Sequence, residues 1–328
     1  MSKLAEGYVV EQYVKPAVLA RVDVNQFGTV LGSNTTIALI SMLHSWLCDT
    51  DRNEATVWAI LLDFRKAFSL IDHKILVRKL MTYSLPSSII TWITDFLTCS
   101  RQRVKLSQDC FSEWGSIPSG VPQGPKLGPW LFVIMIDDLL TTGNCNIWKY
   151  VDNTTIFEVV QRSQNSDLQR LIDDLSRQVA INGFYLNEGK CKELRISFSR
   201  SPPDFDPECI HKAKMLGVTF SVDPKWNAHV DEIVKKVNKR LYFLRQLKRA
   251  QVKSKELVLF YITCIRSVME YACALFHSSL PQYLSLDLER CQKRALRIMF
   301  PDKEQCQRLG HYTISRFTGL HGFRATRR

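Results

Sequence analysis

Closely spaced cysteines are missing from this chain of 328 residues. Its ten cysteines form no C-x-x-C pair, and the closest two, Cys264 and Cys273, stand too far apart for a zinc knuckle. That excludes a disulfide framework or a zinc module and points to a reducing, intracellular setting, cytoplasm or nucleus. An apolar leader is missing too, since residues 1–15 lack the core of a signal peptide. Apolar runs of bilayer length are also lacking. Residues 130–136 are too short to span, and residues 257–276 are interrupted by Arg266 and Glu270, so no membrane span is expected. Negative charge is in short supply: 32 acidic against 44 basic residues leave a formal +12. Such an excess calls for a polyanionic partner or a solvated basic face.

What is present describes an ordinary globular protein, with 45% apolar and 23% charged residues. The length favours two lobes. Near the start, Val9, Val10, Tyr13 and Val14 can share one helical face that Pro16 should end. Ser33-Asn34-Thr35-Thr36 precedes a periodic run, Ile37, Leu39, Ile40, Leu43, Trp46 and Leu47, which predicts a capped amphipathic helix. The continuous apolar run at 57–62 predicts a strand covered on both faces. It ends in Asp63, and a charge there is costly unless it is hydrogen-bonded or binds a cation. Helices are expected at about 74–81 and 89–97, then a strand pair at about 103–106 and 111–117. A Gly/Pro-rich loop, Ser119-Gly120-Val121-Pro122-Gln123-Gly124-Pro125, opens onto a helix at about 127–140. Its glycines let backbone approach a ligand closely, and Gln123 offers both a donor and an acceptor.

The stretch from Trp148 to Phe157 reads as a β-hairpin. Apolar and aromatic residues lead into Asp152-Asn153, and β-branched residues lead out. A carboxylate on a hairpin tip is held by its flanking strands and suits metal ligation; it also suits plain turn chemistry. A second carboxylate elsewhere would decide between the two.

Three segments, in order, resemble the palm motifs of reverse transcriptases of non-LTR (LINE-like, jockey-like) retrotransposons. Leu62-Asp63-Phe64-Arg65-Lys66-Ala67-Phe68-Ser69-Leu70-Ile71-Asp72-His73 is similar to the family's LDFxKAFDxVDH. Gly120-Val121-Pro122-Gln123-Gly124-Pro125-Lys126-Leu127-Gly128-Pro129 is similar to GVPQGSxLGP, and Tyr150-Val151-Asp152-Asn153-Thr154-Thr155 to YADDTT. Further on, Leu186-Asn187-Glu188-Gly189-Lys190 resembles LNxxK, and Leu216-Gly217-Val218 the LG turn of the primer grip.

The resemblance implies an α+β, right-hand polymerase fold of fingers, palm and thumb. The palm would be an antiparallel sheet backed by helices, and the thumb helical and basic. Residues 1–200 would be fingers and palm, with the front of the fingers lacking. Residues 201–300 would be thumb and helical connection, and 301–328 a disordered Arg-rich tail; the prolines at 202, 203 and 207 suggest a linker. The implied activity is RNA-directed DNA polymerisation by two-metal nucleotidyl transfer. Its partners would be an RNA template, a DNA primer and deoxynucleoside triphosphates, and its cofactor two Mg²⁺ ions, with Mn²⁺ as a substitute. Asp63 and Asp152 are the implied metal ligands, with Asn153 beside them in the catalytic motif. Phe68 is the implied ring under the nucleotide sugar, Gln123 and Gly124 the implied nucleotide contacts, and Lys190 the lysine near the leaving phosphate.

Two departures stand out: Asn153 replaces the family's second aspartate, and Ser69 replaces the aspartate of its AFD. They motivate an alternative, a catalytically impaired retrotransposon remnant that only binds nucleic acid.

Residues 235–255 contain nine Lys/Arg and no acidic residue. Val230, Ile233, Val234, Val237, Leu241, Leu244 and Leu247 recur there at helical spacing. One face is therefore core and the other basic, and Lys235, Lys236, Lys239, Arg240, Arg245, Lys248 and Arg249 are the candidate phosphate contacts. Two further packed helices are expected at 257–276 and 286–300.

Overall fold

A computed structural model describes residues 3–50, 55–122, 124–139, 146–161, 165–197, 212–222 and 225–301. Gln123, the proline-rich stretch at 202–207 and the tail from 302 onward lie outside the described residues. The chain divides into two compact units, the first running up to Gly217 and the second starting at Val218, with Val222 returning to the first.

The first unit opens with α1 (Lys3–Val9), a π turn (Val10–Val14) and α2 (Lys15–Leu19). The expectation that Pro16 ends the helix is corrected here. Pro16 lies in the first turn of α2, where its missing N–H costs little, so the helical path continues and buries Val9, Val10, Val14 and Val18. α3 (Thr35–Thr50) starts as predicted, with Asn34 Oδ1 accepting from the Ile37 N–H at 2.9 Å. Then come β1 (Thr56–Leu62), α4 (His73–Leu80), α5 (Ser87–Thr98), and a ribbon, β2 (Arg101–Gln102) with β3 (Gly115–Ser116). That ribbon is shorter than the strand pair expected, with one further bridge at Lys105–Phe111. α6 (Leu127–Ile136) leads to β4 (Asn146–Tyr150), β5 (Asn153–Val160), α7 (Leu168–Ile181), β6 (Lys192–Ser197) and β7 (Lys212–Met215).

Four strands pair antiparallel in the order β4-β5-β1-β6. β1 has a neighbour on each side, and successive side chains leave on opposite faces. Ile60, Leu62, Ile147 and Ile156 join α6 in one buried cluster. On the other face Trp46 of α3 meets the Phe157 ring edge-on at 5.7 Å. Both faces are covered, which explains the uninterrupted apolar run of β1. α6 is apolar all round, with all its residues but Pro129 buried, so it is a central core helix rather than an amphipathic one.

The second unit contains β8 (Val218–Ser221), α8 (Asn227–Arg249), α9 (Ser254–Phe260), a π turn (Tyr261–Arg266), α10 (Ser267–Glu270), α11 (Cys273–Phe276) and α12 (Gln282–Met299). α8 buries Val230, Ile233, Val237, Leu241 and Leu244, as the spacing predicts. The single helix expected at 257–276 is instead broken by the π turn and by Ala272 in the left-handed region (φ 53°). Arg266 and Glu270, which interrupt that apolar run, pair at 2.8 Å. By length and composition alone Ser254–Ser279 would suffice to cross a membrane; Leu257, Tyr261, Ile265 and Met269 are buried within its own unit, while Leu259 and Ile262 are exposed.

Candidate active site

Asp63 follows directly on β1. Leu62 pairs with Thr154, so the next register step sets Asp63 beside Asn153, one residue from Asp152. The backbone of Asp63 is fixed from the other side by the Leu-Asn-Glu-Gly-Lys segment. Its carbonyl accepts from Asn187 N–H at 2.8 Å, and two residues on the Arg65 N–H donates to the Tyr185 carbonyl at 2.8 Å. The same segment then turns back on itself, Lys190 N–H to Asn187 carbonyl at 2.8 Å, and its ammonium reaches Asp63 Oδ2 at 3.4 Å. The two half-exposed side chains thus put a positive charge of the protein's own against the candidate ligand.

β4 and β5 form the expected hairpin, with Tyr150 paired to Asn153. Its two-residue turn is Val151-Asp152, not Asp152-Asn153: Asn153 is the first residue of β5 and donates from Nδ2 to Asp152 Oδ1 at 3.3 Å. Val151 takes a left-handed φ of 55°, which a β-branched residue rarely adopts. Burial raises the Asp152 carboxyl above the ordinary carboxylate range; its own backbone N–H pulls it down, and the negative charge of Asp63 pushes it further up. That mutual repulsion between Asp63 and Asp152 is what a cation would relieve. The Asp63 and Asp152 carboxylates are oxygen donors of the kind Mg²⁺ accepts while keeping several waters, and Asn153 turns its amide nitrogen to Asp152. No group of three His, Cys, Asp or Glu gathers anywhere among the described residues, so the candidate rests on this pair of carboxylates.

The glycine-rich loop lies against the chain that leaves β1. Val121 N–H donates to the Phe68 carbonyl and Gly120 N–H to that of Ile71, both at 2.8 Å. A Cβ on Gly120 (φ 90°) would lie 2.8–2.9 Å from the Phe68 and Ser69 carbonyl oxygens, so no other residue fits there. Phe68 stacks on Phe132 of α6 with ring centroids 4.6 Å apart. Gly124 also has a left-handed backbone (φ 109°), but open space surrounds its missing Cβ. The second half of the first motif is structural. Asp72 caps α4, accepting from Lys74 and Ile75 N–H at 2.7 and 3.0 Å, and His73 Nε2 lies 2.7 Å from the Gly120 carbonyl.

In the second unit, Lys235, Lys236, Lys239, Arg245 and Arg249 are exposed on α8. Arg240 instead donates to the Cys264 carbonyl, and Lys248 to the Met299 carbonyl at 3.1 Å. Tyr242 and Phe243, exposed between the cations, meet edge to face at 5.7 Å.

The sequence reading passed over residues 23–28. This strap lies beside β4: Lys149 N–H donates to the Asn25 carbonyl at 2.9 Å, and Phe27 N–H to the Lys149 carbonyl at 2.8 Å. Lys149 itself is buried, with its ammonium 3.2 Å from Asp23 and 3.0 Å from the Asp137 carbonyl. The dipeptide Gly28-Thr29, after a phenylalanine, was the only local signal of a tight backbone approach.

Residues 8–220 match a family model described as reverse transcriptase (RNA-dependent DNA polymerase). Residues 226–267 match a second, the N-terminal part of alkylated DNA repair protein alkB homolog 8. A Pol polyprotein of the type-1 retrotransposable element R2 from Popillia japonica is 23% identical over 247 residues, covering 64% of this chain and 40% of that protein. That of the type-2 element R2DM from Drosophila melanogaster is 27% identical over 170 residues, covering 48% and 15%. The chain thus spans two-fifths or less of the length of these curated relatives. Among solved structures, apo telomerase from Candida tropicalis matches with TM-score 0.52 at 11% identity, over 91% of this chain and 55% of that one. Telomerase from the same organism with a fragment of telomeric RNA gives 0.51 at 12% identity, over 90% and 52%. These likenesses speak for a shared polymerase fold, and the family match covers well over half of the sequence. The chain belongs to the reverse transcriptase (RNA-dependent DNA polymerase) family, in its non-LTR retrotransposon branch.

Proposed function

We propose that the chain carries the polymerase core of an RNA-directed DNA polymerase, with residues 1–200 as fingers and palm and 201–300 as thumb. The observation that carries this reading is the β1–β5 register, which sets Asp63 beside Asn153 and next to Asp152. Asp63 and Asp152 would hold two divalent ions, Mg²⁺ or Mn²⁺, which when bound clamp the attacking and leaving oxygens of nucleotidyl transfer. Phe68, held by Phe132, presents a fixed ring that a 2′-hydroxyl would strike, which favours deoxynucleoside triphosphates. Gly124 leaves room for backbone to approach the nucleotide, and Gln123, its neighbour in sequence, would supply a polar contact. Lys190 can leave Asp63 for the departing phosphate, because its ion pair is half-exposed and such pairs contribute only about 0–1 kcal/mol.

Primer extension on an RNA template with a DNA primer, in Mg²⁺ and in Mn²⁺, tests the reading. Asn153→Asp adds one negative charge at the metal pair and is expected to raise extension roughly tenfold, about 1.4 kcal/mol. No incorporation by either chain in either metal would leave the second reading, a remnant that binds nucleic acid without copying it. The favouring observation for that reading is the amide of Asn153 donating to Asp152, where a ligand oxygen is wanted.

Both readings need a nucleic-acid partner, and the exposed α8 cations would supply contacts to its phosphates. Replacing Lys235, Lys239, Arg245 and Arg249 by glutamine should weaken binding similarly across sequences. It should also flatten the dependence of log affinity on log salt by about one for each side chain that meets a phosphate. An unchanged slope in a filter-binding or anisotropy titration would remove α8 from the interface. Arg240 and Lys248, tied to backbone carbonyls, should contribute less.

A further inference from the structure

The turn that carries Asp152 is strained, and its support comes from outside the hairpin. Val151 holds a left-handed φ of 55°. A β-branched residue leaves that region readily unless its surroundings fix it. The group in place is Gln26, only 3% exposed, whose Oε1 accepts from the Val151 N–H at 3.3 Å and from the Gly28 N–H at 2.9 Å. Phe27 adds a stack on Trp148, centroids 5.1 Å apart and planes 7° from parallel. Gly28 lets the strap lie flat on the turn, because a Cβ there would sit 2.5 Å from both Val151 N and Cγ2. Gln26 Nε2, by contrast, is buried with no hydrogen-bond partner among the described residues. A residue present for packing alone would be apolar here, since an orphaned buried donor is costly. What the glutamine contributes is its oxygen, aimed at the backbone of the turn.

We infer that Gln26 is a positioning residue that holds the Val151-Asp152 turn so that the Asp152 carboxylate stays in register with Asp63. The inference rests on the reading of Asp63 and Asp152 as metal ligands. Gln26→Met keeps the volume and removes the acceptor. It is expected to weaken Mn²⁺ binding to the chain without nucleic acid, followed by the loss of the free-ion electron paramagnetic resonance signal, by about tenfold, the usual scale for a residue that orients a ligand. In primer extension kcat should fall while the KM for the nucleotide changes little.

The double variant Gln26→Met/Val151→Gly lets the turn adopt a positive φ without strain and should recover most of the lost Mn²⁺ affinity. A packing role would give no such rescue. Wild-type Mn²⁺ affinity in a folded Gln26→Met chain, or absence of rescue by Val151→Gly, would overturn the inference. If Gln26→Met does not melt cooperatively, Gln26→Asn, which retains the amide but draws its oxygen back by one methylene, is read in the same way. Asp152→Asn is the control for the underlying reading: if it leaves Mn²⁺ binding as in wild type, the metal assignment itself fails. If it removes binding while the Gln26 variants retain it, only the role of Gln26 fails.

Discussion

Asp152→Asn is expected to lower primer extension on the order of a thousandfold, about 4 kcal/mol, while leaving the fold intact and more stable than before. The loss follows from removing one of two carboxylates in a site that has few. The gain follows from the environment of Asp152 in the metal-free chain. Burial raises its carboxyl, and the Asp63 charge adds to the rise. A carboxyl raised in the folded state binds more protons there than in the unfolded state between its ordinary and its raised value. Stability therefore falls as pH climbs through that window and stays lower above it. An asparagine carries no such penalty. In EDTA the variant should melt above wild type at neutral pH, and the difference should vanish at pH below the ordinary value of 3.8. Added Mn²⁺ should raise the melting temperature of wild type and not of the variant, because only a state that binds the ion is stabilised by it. A variant that melts lower than wild type in EDTA at neutral pH would contradict the electrostatic account.

The parts of this site that could be read from sequence are those whose residue types announce their chemistry. The aspartate that ends an uninterrupted apolar run could only be a strand-end carboxylate, and β1 with its two neighbours bears this out. A hairpin is legible from the aromatic residues that lead into Asp152-Asn153 and the β-branched residues that lead out. Its turn was placed one residue late because Val151 gives no sign of accepting a positive φ. Asp72, at the end of the same motif, is a helix cap, a role set by where α4 begins. The strap at 23–28 left no periodic trace, since it joins the sheet through a single bridge and a few hydrogen bonds. Pro16 misled in the opposite sense, because the π turn before it shifts the helical phase so that the ring falls in a first turn.

Lys149 is where sequence reasoning and structure diverge most, and Lys149→Met is expected to destabilise the first unit strongly. In a strand pattern a lysine marks the solvent face, yet β4 sends Lys149 to the same side as Ile147, against the C-terminal end of α6. Its ammonium meets Asp23 at 3.2 Å, the Asp137 carbonyl at 3.0 Å and the Ile136 carbonyl at 3.3 Å. It thus ties the strap to the strand that enters the catalytic turn and neutralises the negative end of the central helix. Methionine fills the volume but leaves Asp23, whose side chain is only 15% exposed, without its cation, and two carbonyls without this donor. Breaking a buried pair in this way costs about 3–5 kcal/mol, or roughly 6–20 °C of melting temperature for a unit of this size. Lys79 cannot step in, because its ammonium is already held by the Met135 carbonyl and by Asp138, the latter at 2.6 Å. Asp23→Asn should cost less than Lys149→Met, since an amide can still accept from the ammonium. The double variant Lys149→Met/Asp23→Leu should recover part of the loss but not all, with the α6 carbonyls still lacking their donor. Urea melts of wild type, Lys149→Met, Asp23→Leu and the double variant close the cycle, and additive losses would mean that Lys149 and Asp23 act independently.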